Sequence, residues 1–409
     1  MENLTKKIKD SRDYVIELQK GLISRPALSP DVEGGEGEYD KAQFLLSEVK
    51  KLKFDEVTVI DAPDARAKHG VRPNIVAKYY GKNKEKTLWI MGHMDIVHPG
   101  DMEKWKTNPY EAVIDGDKIY GRGAEDNNQG IVSSMVLARA MMELDIRPEV
   151  NVGLLLVADE EVGCKYGIEY ITKNHKDIFG PNDFFITPDS GNPEGTFMEI
   201  AEKAVIWFKF VVEGKEGHAS TPHKTINACR AGSHFIAALD ELYKIYPETN
   251  DLFDAPPFST FEPTKHELNV GSANIIPGKD VIWYDVRLLP HLTAEEVMAK
   301  CLELAKPIEE KFKVKITGTI EKNKVSKATD INADIVKLYI KAIEHVFNKT
   351  PKPVGIGGGT ASAFVRNMGL PAVVGGTQYA TLHQPNEYSS ITFTLQDACV
   401  MAYVAFNTK

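Results

Sequence analysis

The sequence predicts a two-domain α/β protein, in which a mostly parallel central sheet flanked by helices is interrupted by a smaller βαββαβ domain. Three observations predict it. The chain has 409 residues, longer than one hydrophobic core usually supports. In its first half, continuous apolar runs such as Leu88–Val97 and Val152–Ala158 alternate with amphipathic stretches, the pattern of parallel strands buried on both faces. From about Glu202 the pattern changes, and a complete βαββαβ set follows before the first pattern returns. The expected boundaries are 1–201 for the first part of the larger domain, 202–318 for the insertion and 319–409 for the remainder.

Between Lys6 and Leu22, Ile8, Tyr14, Val15, Leu18 and Leu22 fall on one side of a helix. Ser29 to Glu38 reads as a loop and Tyr39–Lys51 as a second helix. Val57–Ile60 and Asn74–Tyr80 are expected as strands, followed by Leu88–Val97. A loop rich in Pro, Gly and Asp leads to Gly121-Arg122-Gly123-Ala124-Glu125-Asp126 and a helix from about Gln129 to Leu144. The strands Val152–Ala158 and Asp183–Thr187 end in Asp159-Glu160-Glu161 and Pro188-Asp189-Ser190-Gly191. The inserted segment reads as strand Ala204–Val212, helix Asn227–Ile245, strands Glu267–Asn274 and Val281–Leu288, helix Ala294–Phe312 and strand Val314–Thr317, a ferredoxin-like order. A helix around Ile331–Phe347, a glycine-rich turn at Gly355–Thr360 and a closing helix Leu395–Phe406 complete the chain.

Composition removes several classes. A hydrophobic fraction of 43% and a charged fraction of 26% suit an ordinary globular protein. The net charge of −9, with lysines interspersed among acids, predicts neither a nucleic-acid nor a membrane-surface partner. Met1–Lys7 lacks the apolar core of a signal peptide and no apolar run is long enough for a bilayer, so the chain reads as cytoplasmic. The four cysteines, Cys164, Cys229, Cys301 and Cys399, show no paired spacing of a disulfide framework or zinc knot.

The apolar run Leu88–Val97 is broken by His93 and Asp95, which are costly to bury unless paired or bound to metal. Residues two apart on a strand share a face, so His93 reads as a metal ligand whose other ring nitrogen gives its proton to Asp95. A plain core His–Asp hydrogen bond explains this stretch equally well. Asp126 could cap the helix after it, Glu160 and Glu161 could form a solvated turn, and Asp189 could serve turn geometry. Taken singly, each plain reading is at least as strong as the functional one. Taken together they are weaker, because so many carboxylates at one edge of a sheet repel one another unless a cation offsets them. With the loop residue His383 they form a mixed nitrogen and oxygen set that suits zinc, cobalt or manganese. One bridging carboxylate would let the set hold two ions roughly 3.5–4 Å apart. One of two adjacent glutamates can then bind metal while the other takes a proton from water.

Five motifs stand in the order seen in one metallohydrolase family: Gly92-His93-Met94-Asp95, Gly121–Asp126, Asp159-Glu160-Glu161-Val162-Gly163, Pro188-Asp189-Ser190-Gly191 and His383-Gln384-Pro385-Asn386-Glu387. The chain resembles, over nearly its whole length, the dinuclear zinc metallopeptidases and deacylases: glutamate carboxypeptidase, acetylornithine deacetylase, succinyl-diaminopimelate desuccinylase and aminoacylase. The resemblance implies a zinc-peptidase-like catalytic domain with an inserted lid and dimerisation domain. It implies that Asp126 bridges two ions, with His93 and Asp189 completing one site and Glu161 and His383 the other. Glu160 is then the general base and Asp95 orients His93. In the insertion, His218 of Gly217-His218-Ala219-Ser220-Thr221-Pro222 matches a histidine that, in dimeric members, reaches the partner's active site and helps hold the oxyanion. Asn274 and Arg287 match positions that grip a substrate carboxylate, and Gly358, Gly359 and Thr360 lie in a loop that shapes the substrate pocket.

The chain departs from the family in two places. Gly357–Ser362 has no aspartate soon after its Gly-Thr pair, and Asn128-Gln129-Gly130 stands where a lysine often precedes the glycine. Both bear on the substrate more than on hydrolysis.

The glycine-rich turn lacks the last glycine of a dinucleotide fingerprint and the lysine of a phosphate loop, His266-Glu267 lacks the second histidine of a zincin, and there is no Gly-x-Ser-x-Gly elbow. A non-catalytic metal-binding relative is the rival from another class, and the presence of Glu160 with all five matched ligands weighs against it. The expected activity is hydrolysis of the amide bond of a small N-acyl amino acid or short peptide, of deacetylase or desuccinylase type, with a carboxypeptidase or dipeptidase as the alternative. Two divalent ions, zinc first with cobalt or manganese as alternatives, and a homodimer through the inserted domain are expected with it.

Overall fold

The tight turn at Tyr80–Lys82 decides much of the architecture, because so short a connection reverses the chain where a parallel neighbour would need a long crossover. The structure, a computed structural model, describes residues 1–408. Two units are formed, one from Met1–Ile200, Thr329–Pro353 and the chain from Thr360 on, the other from Ala201–Ala328 with Val354–Gly359. The second unit runs past the expected limit at 318 because its last strand continues to Lys324.

In chain order, the first unit begins with α1 (Glu2–Lys9), α2 (Arg12–Ile23), α3 (Tyr39–Lys51), β1 (Glu56–Pro63), β2 (Val71–Tyr79) and β3 (Asn83–His93). It continues with β4 (Val113–Asp115), β5 (Lys118–Tyr120), α4 (Gln129–Glu143), β6 (Val150–Val157), α5 (Ile168–Asn174), β7 (Phe184–Gly191) and β8 (Phe197–Glu202). The second unit holds β9 (Ala204–Glu213), β10 (Gly217–His218), α6 (Ala228–Leu239), α7 (Leu242–Ile245), β11 (Thr260–His266), β12 (Ile275–Ile276), β13 (Lys279–Leu288), α8 (Ala294–Phe312) and β14 (Lys315–Lys324). Then come α9 (Asp334–Phe347), β15 (Lys352–Ile356), α10 (Ser362–Asn367), β16 (Ala372–Gly376), β17 (Tyr388–Ser390) and α11 (Ile391–Asn407).

The large sheet runs β1-β2-β6-β3-β7-β16-β8. Neighbours from β6 to β16 are parallel, whereas β1–β2, β2–β6 and β16–β8 are antiparallel. The sheet is therefore mixed, which corrects the expected mostly parallel one. Every residue of β6 is buried, and β3 is buried from Thr87 to its end, as strands covered on both faces require. Trp89 fills the space above Gly153, where a Cβ would come within 2.4 Å of the ring. The apolar run expected as one strand to Val97 leaves the sheet at His93, so Asp95 lies beyond the strand. The helix expected over Lys6–Leu22 is two helices, with the Ser11 hydroxyl turned back to the Lys7 carbonyl at 2.9 Å. Its buried face still holds Ile8, Tyr14, Val15, Leu18 and Leu22.

In the second unit the sheet order is β11-β13-β9-β14, antiparallel throughout. Ile206, Phe208, Phe210 and Val212 alternate along β9 toward a core that includes Phe235 of α6 and Val297 and Cys301 of α8. Asn227 caps α6 and Thr293 forms a capping box at α8. The strand expected over Glu267–Asn274 is instead β11, Thr260–His266, and Asn274 lies in a turn before β12. β11 is an edge strand, where Pro263 can sit without breaking a ladder on both sides.

Candidate active site

Three adjacent parallel strands, β6-β3-β7, bring their carboxyl ends together, the position where α/β sheets place their chemistry. His93 ends β3, Asp189 lies near the end of β7, and the turn after β6 carries Asp159, Glu160 and Glu161. Asp126 enters on the segment before α4, and His383 on the loop before β17. The Asp126 segment must pass close under β3. A Cβ on Gly92 would come within 2.8 Å of the Asn127 Oδ1, so the strand needs glycine there. Gly123 takes a left-handed φ of 80°, which turns the backbone into the segment.

Five residues form two groups sharing one member: His93, Asp126 and Asp189, and Asp126, Glu161 and His383. Within each, the offered ligand atoms all lie within 4.8 Å of one another. Asp126 turns Oδ1 to His93 Nε2 at 2.9 Å and Oδ2 to His383 Nε2 at 3.1 Å. His93 Nε2 also lies 3.2 Å from Asp189 Oδ1, and His383 Nε2 lies 3.1 Å from Glu161 Oε2. Asn127 donates to Asp189 Oδ1 at 2.8 Å and to the Pro188 carbonyl at 2.7 Å.

The protonation of the cluster reflects its excess of carboxylates. Burial pulls His93 down, but the Asp189 charge and the hydrogen bonds to Asp126 and Asp189 outweigh it and leave the ring well above its ordinary range. Hydrogen bonds to Asp126 and Glu161 raise His383 to about 10. Burial and the nearby Asp126 charge push Glu161 up to about 7, and burial raises Asp189. Burial works against Asp126 as well, but its bonds to His383 and His93 hold it below the usual carboxylate range. Without a metal ion, the imidazoles carry the positive charge that the carboxylates demand. The donor set is thus chemically fitted to divalent cations bound by nitrogen and oxygen.

Asp95 has a second set of contacts besides the expected one to His93. Its Oδ1 accepts the Glu160 N–H at 3.0 Å and its Oδ2 the Glu161 N–H at 2.9 Å. His93 Nδ1 lies 3.0 Å from the Asp95 backbone carbonyl and 3.5 Å from its carboxylate, so the carbonyl fixes the ring. The same turn is held from the other side by Asp159, whose carboxylate lies 3.1 Å from the buried Arg72, itself paired with buried Glu38. Glu160 is partly exposed at the head of this turn. Asp126 does not cap α4; the N-cap position is Asn128, whose Oδ1 accepts from the buried Lys41 at 3.3 Å.

In the second unit, His218 is exposed and its Nδ1 accepts the Ser220 backbone N–H at 3.1 Å, with the Ser220 hydroxyl 2.7 Å away. A neutral ring whose Nδ1 accepts carries its proton on Nε2. Arg287 pairs with Asp285 through Nε at 2.6 Å and Nη2 at 3.1 Å, and Nη1 donates to the Gly357 carbonyl at 3.0 Å. One N–H remains on each terminal nitrogen. Asn274 accepts from the Ser272 hydroxyl at 2.6 Å. Gly358 and Gly359 follow β15 in an open bend, and Thr360 is buried with its Oγ1 accepting the Ser362 N–H at 3.1 Å.

The sequence alone assigns no role to Glu125 or Glu387, although each stands inside a ligand-bearing motif. Each is a buried carboxylate bound to backbone N–H groups of the opposite ligand-bearing loop. The four cysteines are free, and among the described residues no helix is long and apolar enough to cross a membrane.

Residues 89–407 match the model of Peptidase family M20/M25/M40. An uncharacterised metallohydrolase of Methanocaldococcus jannaschii is 39% identical, with 97% of this chain and 99% of the relative covered. Among solved structures, the aminopeptidase PepT of Bacillus cereus superposes with a TM-score of 0.77 at 16% identity, covering 96% of this chain and 98% of that one. Human carnosine dipeptidase 1 superposes with a TM-score of 0.74 at 15% identity, covering 99% and 98%. At these identities the likeness is one of fold.

Proposed function

The chain belongs to Peptidase family M20/M25/M40 and is a metal-dependent hydrolase of peptide or amide bonds; from that premise we propose that it is a dinuclear enzyme cleaving the amide bond of a small N-acyl amino acid or a short peptide. The observation that carries this reading is Asp126, which offers one carboxylate oxygen to each of two three-residue ligand groups. His93, Asp126 and Asp189 would hold one ion and Asp126, Glu161 and His383 the other. Zinc suits the set best, with cobalt or manganese as alternatives.

When bound, such ions lower the pKa of a water to about 7 and polarise the scissile carbonyl. Glu160 takes the proton of the attacking water and returns it to the leaving nitrogen. Asp95 positions Glu160 and Glu161 through their backbone N–H groups. His218, with its proton on Nε2, is assigned to donate to the developing oxyanion. Arg287 keeps two N–H groups for a substrate carboxylate, and Asn274 assists it. Gly358, Gly359 and Thr360 are assigned to the substrate pocket. The second unit is assigned the role of a ferredoxin-like lid through which two copies pair.

The test is hydrolysis of a panel of N-acetyl and N-succinyl amino acids and dipeptides by protein loaded with zinc, cobalt or manganese. Turnover abolished by chelation and restored by metal supports the reading and names the substrate class. A metal-loaded protein inactive on the whole panel overturns the proposed substrates.

A further inference from the structure

We propose that Glu125 and Glu387 form a reciprocal clasp that sets where His383 stands relative to Asp126, an inference that rests on the dinuclear reading above. The loops that deliver these two ligands lie far apart in sequence, yet each holds the other by a side-chain carboxylate. Glu125, next to Asp126, accepts the backbone N–H groups of Tyr379 and Thr381 and the Thr381 hydroxyl, the last at 2.8 Å. Glu387, four residues beyond His383, accepts the N–H groups of Gly123 at 3.0 Å, Glu125 at 2.9 Å and Asp126 at 3.0 Å. It also accepts from Arg122 Nη1 at 2.7 Å. Both carboxylates are fully buried. The same two segments run side by side as an antiparallel pair, Tyr388 opposite Tyr120 and Ser389 opposite Ile119.

Neither glutamate belongs to a ligand group. Burying an ionised carboxylate among backbone partners is costly and needs every acceptor used. Here the acceptors are spent on the two ligand-bearing loops, beside the short strand pair that already joins their segments. His383 itself has a φ of 61°, in the left-handed region and outside any regular element, so no helix or strand ladder fixes it.

The two arms of the clasp act unequally. Glu387 fixes the amide of Asp126, which both ligand groups share. Glu125 fixes only the loop that carries His383. The His93, Asp126 and Asp189 group has its own supports, the Asp95 carbonyl on His93 and Asn127 on Asp189. Glu125 is therefore a positioning residue for the second ion alone.

The experiment is manganese titration of the metal-stripped protein, followed by electron paramagnetic resonance, on the wild type and Glu125→Gln. The Gln amide nitrogen must face one of the N–H donors, so that arm opens without a change of size. The wild type is expected to bind two ions with a magnetically coupled signal. The variant is expected to bind the first ion with near wild-type affinity and the second at least about tenfold more weakly. Equal weakening of both ions makes Glu125 a general structural residue and overturns the inference, as does a variant indistinguishable from the wild type. If Glu125→Gln does not fold, Thr381→Val removes the hydroxyl donor and must show the same selective loss, a few-fold in size. A wild type that binds fewer than two ions overturns the dinuclear reading and the clasp with it, whereas two ions bound with wild-type affinities by the variant overturn the clasp alone.

Discussion

The buried carboxylate of Asp95 holds Glu160 by its backbone N–H at 3.0 Å, and its other oxygen takes the neighbouring Glu161 N–H at 2.9 Å. The proposed base and a proposed ligand thus share one anchor at the carboxyl end of β6. Asp95 thus serves the turn opposite His93 as well as lying beside the imidazole itself.

Asp95→Asn places an amide N–H against one of those backbone donors and frees one end of the turn. The expected result is a kcat lower by about 10–100-fold, with two metal ions still bound. Steady-state kinetics paired with metal analysis check it. Loss of metal with Glu160 still correctly placed would return Asp95 to the simpler role of orienting His93.

His218 keeps its proton on Nε2 because Ser220 occupies Nδ1. His218→Ala should lower kcat by about 10²–10³-fold, the usual cost of an oxyanion donor, with little change in KM. Ser220→Ala leaves the backbone N–H in place and should cost far less. A His218→Ala enzyme with intact kcat and raised KM would make the residue a binding group instead.

Arg287 has one side of its guanidinium taken by Asp285. Arg287→Lys cannot reproduce the planar fork, so kcat/KM for substrates ending in a free carboxylate should fall by about 10–100-fold, the worth of a lost charged hydrogen bond. Carboxamide analogues should be affected little. Equal losses on both substrate types would remove the carboxylate clamp.

Burial of Asp397, bonded to Thr377 and near Gln129, pushes its carboxyl up to about 7. Unfolded, the same group titrates near about 3.9. The folded state therefore binds the extra proton, and this contribution to stability is complete below pH about 4 and lost as pH rises through about 7. Asp397→Asn should flatten that decline and stabilise the protein at pH 8 relative to pH 5, by at most about 3 kcal/mol. Urea unfolding of the metal-free protein at the two pH values measures it. A variant with the wild-type slope would assign the decline elsewhere.

Most of the site was legible because acids and histidines inside apolar strand ends demand an explanation. His93, Glu161 and Asp189 stand at the ends of three strands that the sequence marks by long buried runs, and Asp126 lies just before a helix marked by its periodicity. Strand direction was not legible, since β2 is nearly as buried as β6 beside it and only the turn at Tyr80–Lys82 reverses it. Pro263 hid β11, because proline argues against a strand unless the strand lies at an edge. Glu125 and Glu387 were invisible as partners because their bonds are to backbone groups, which every residue has.

The central claim is that Glu160 moves the proton at a metal centre built by the other residues. Glu160→Gln keeps the size of the side chain and removes its basicity. Metal-loaded wild type and variant should bind the same number of ions, while kcat on the best panel substrate falls by about 10²–10⁴-fold. A variant that turns over like the wild type would contradict the account.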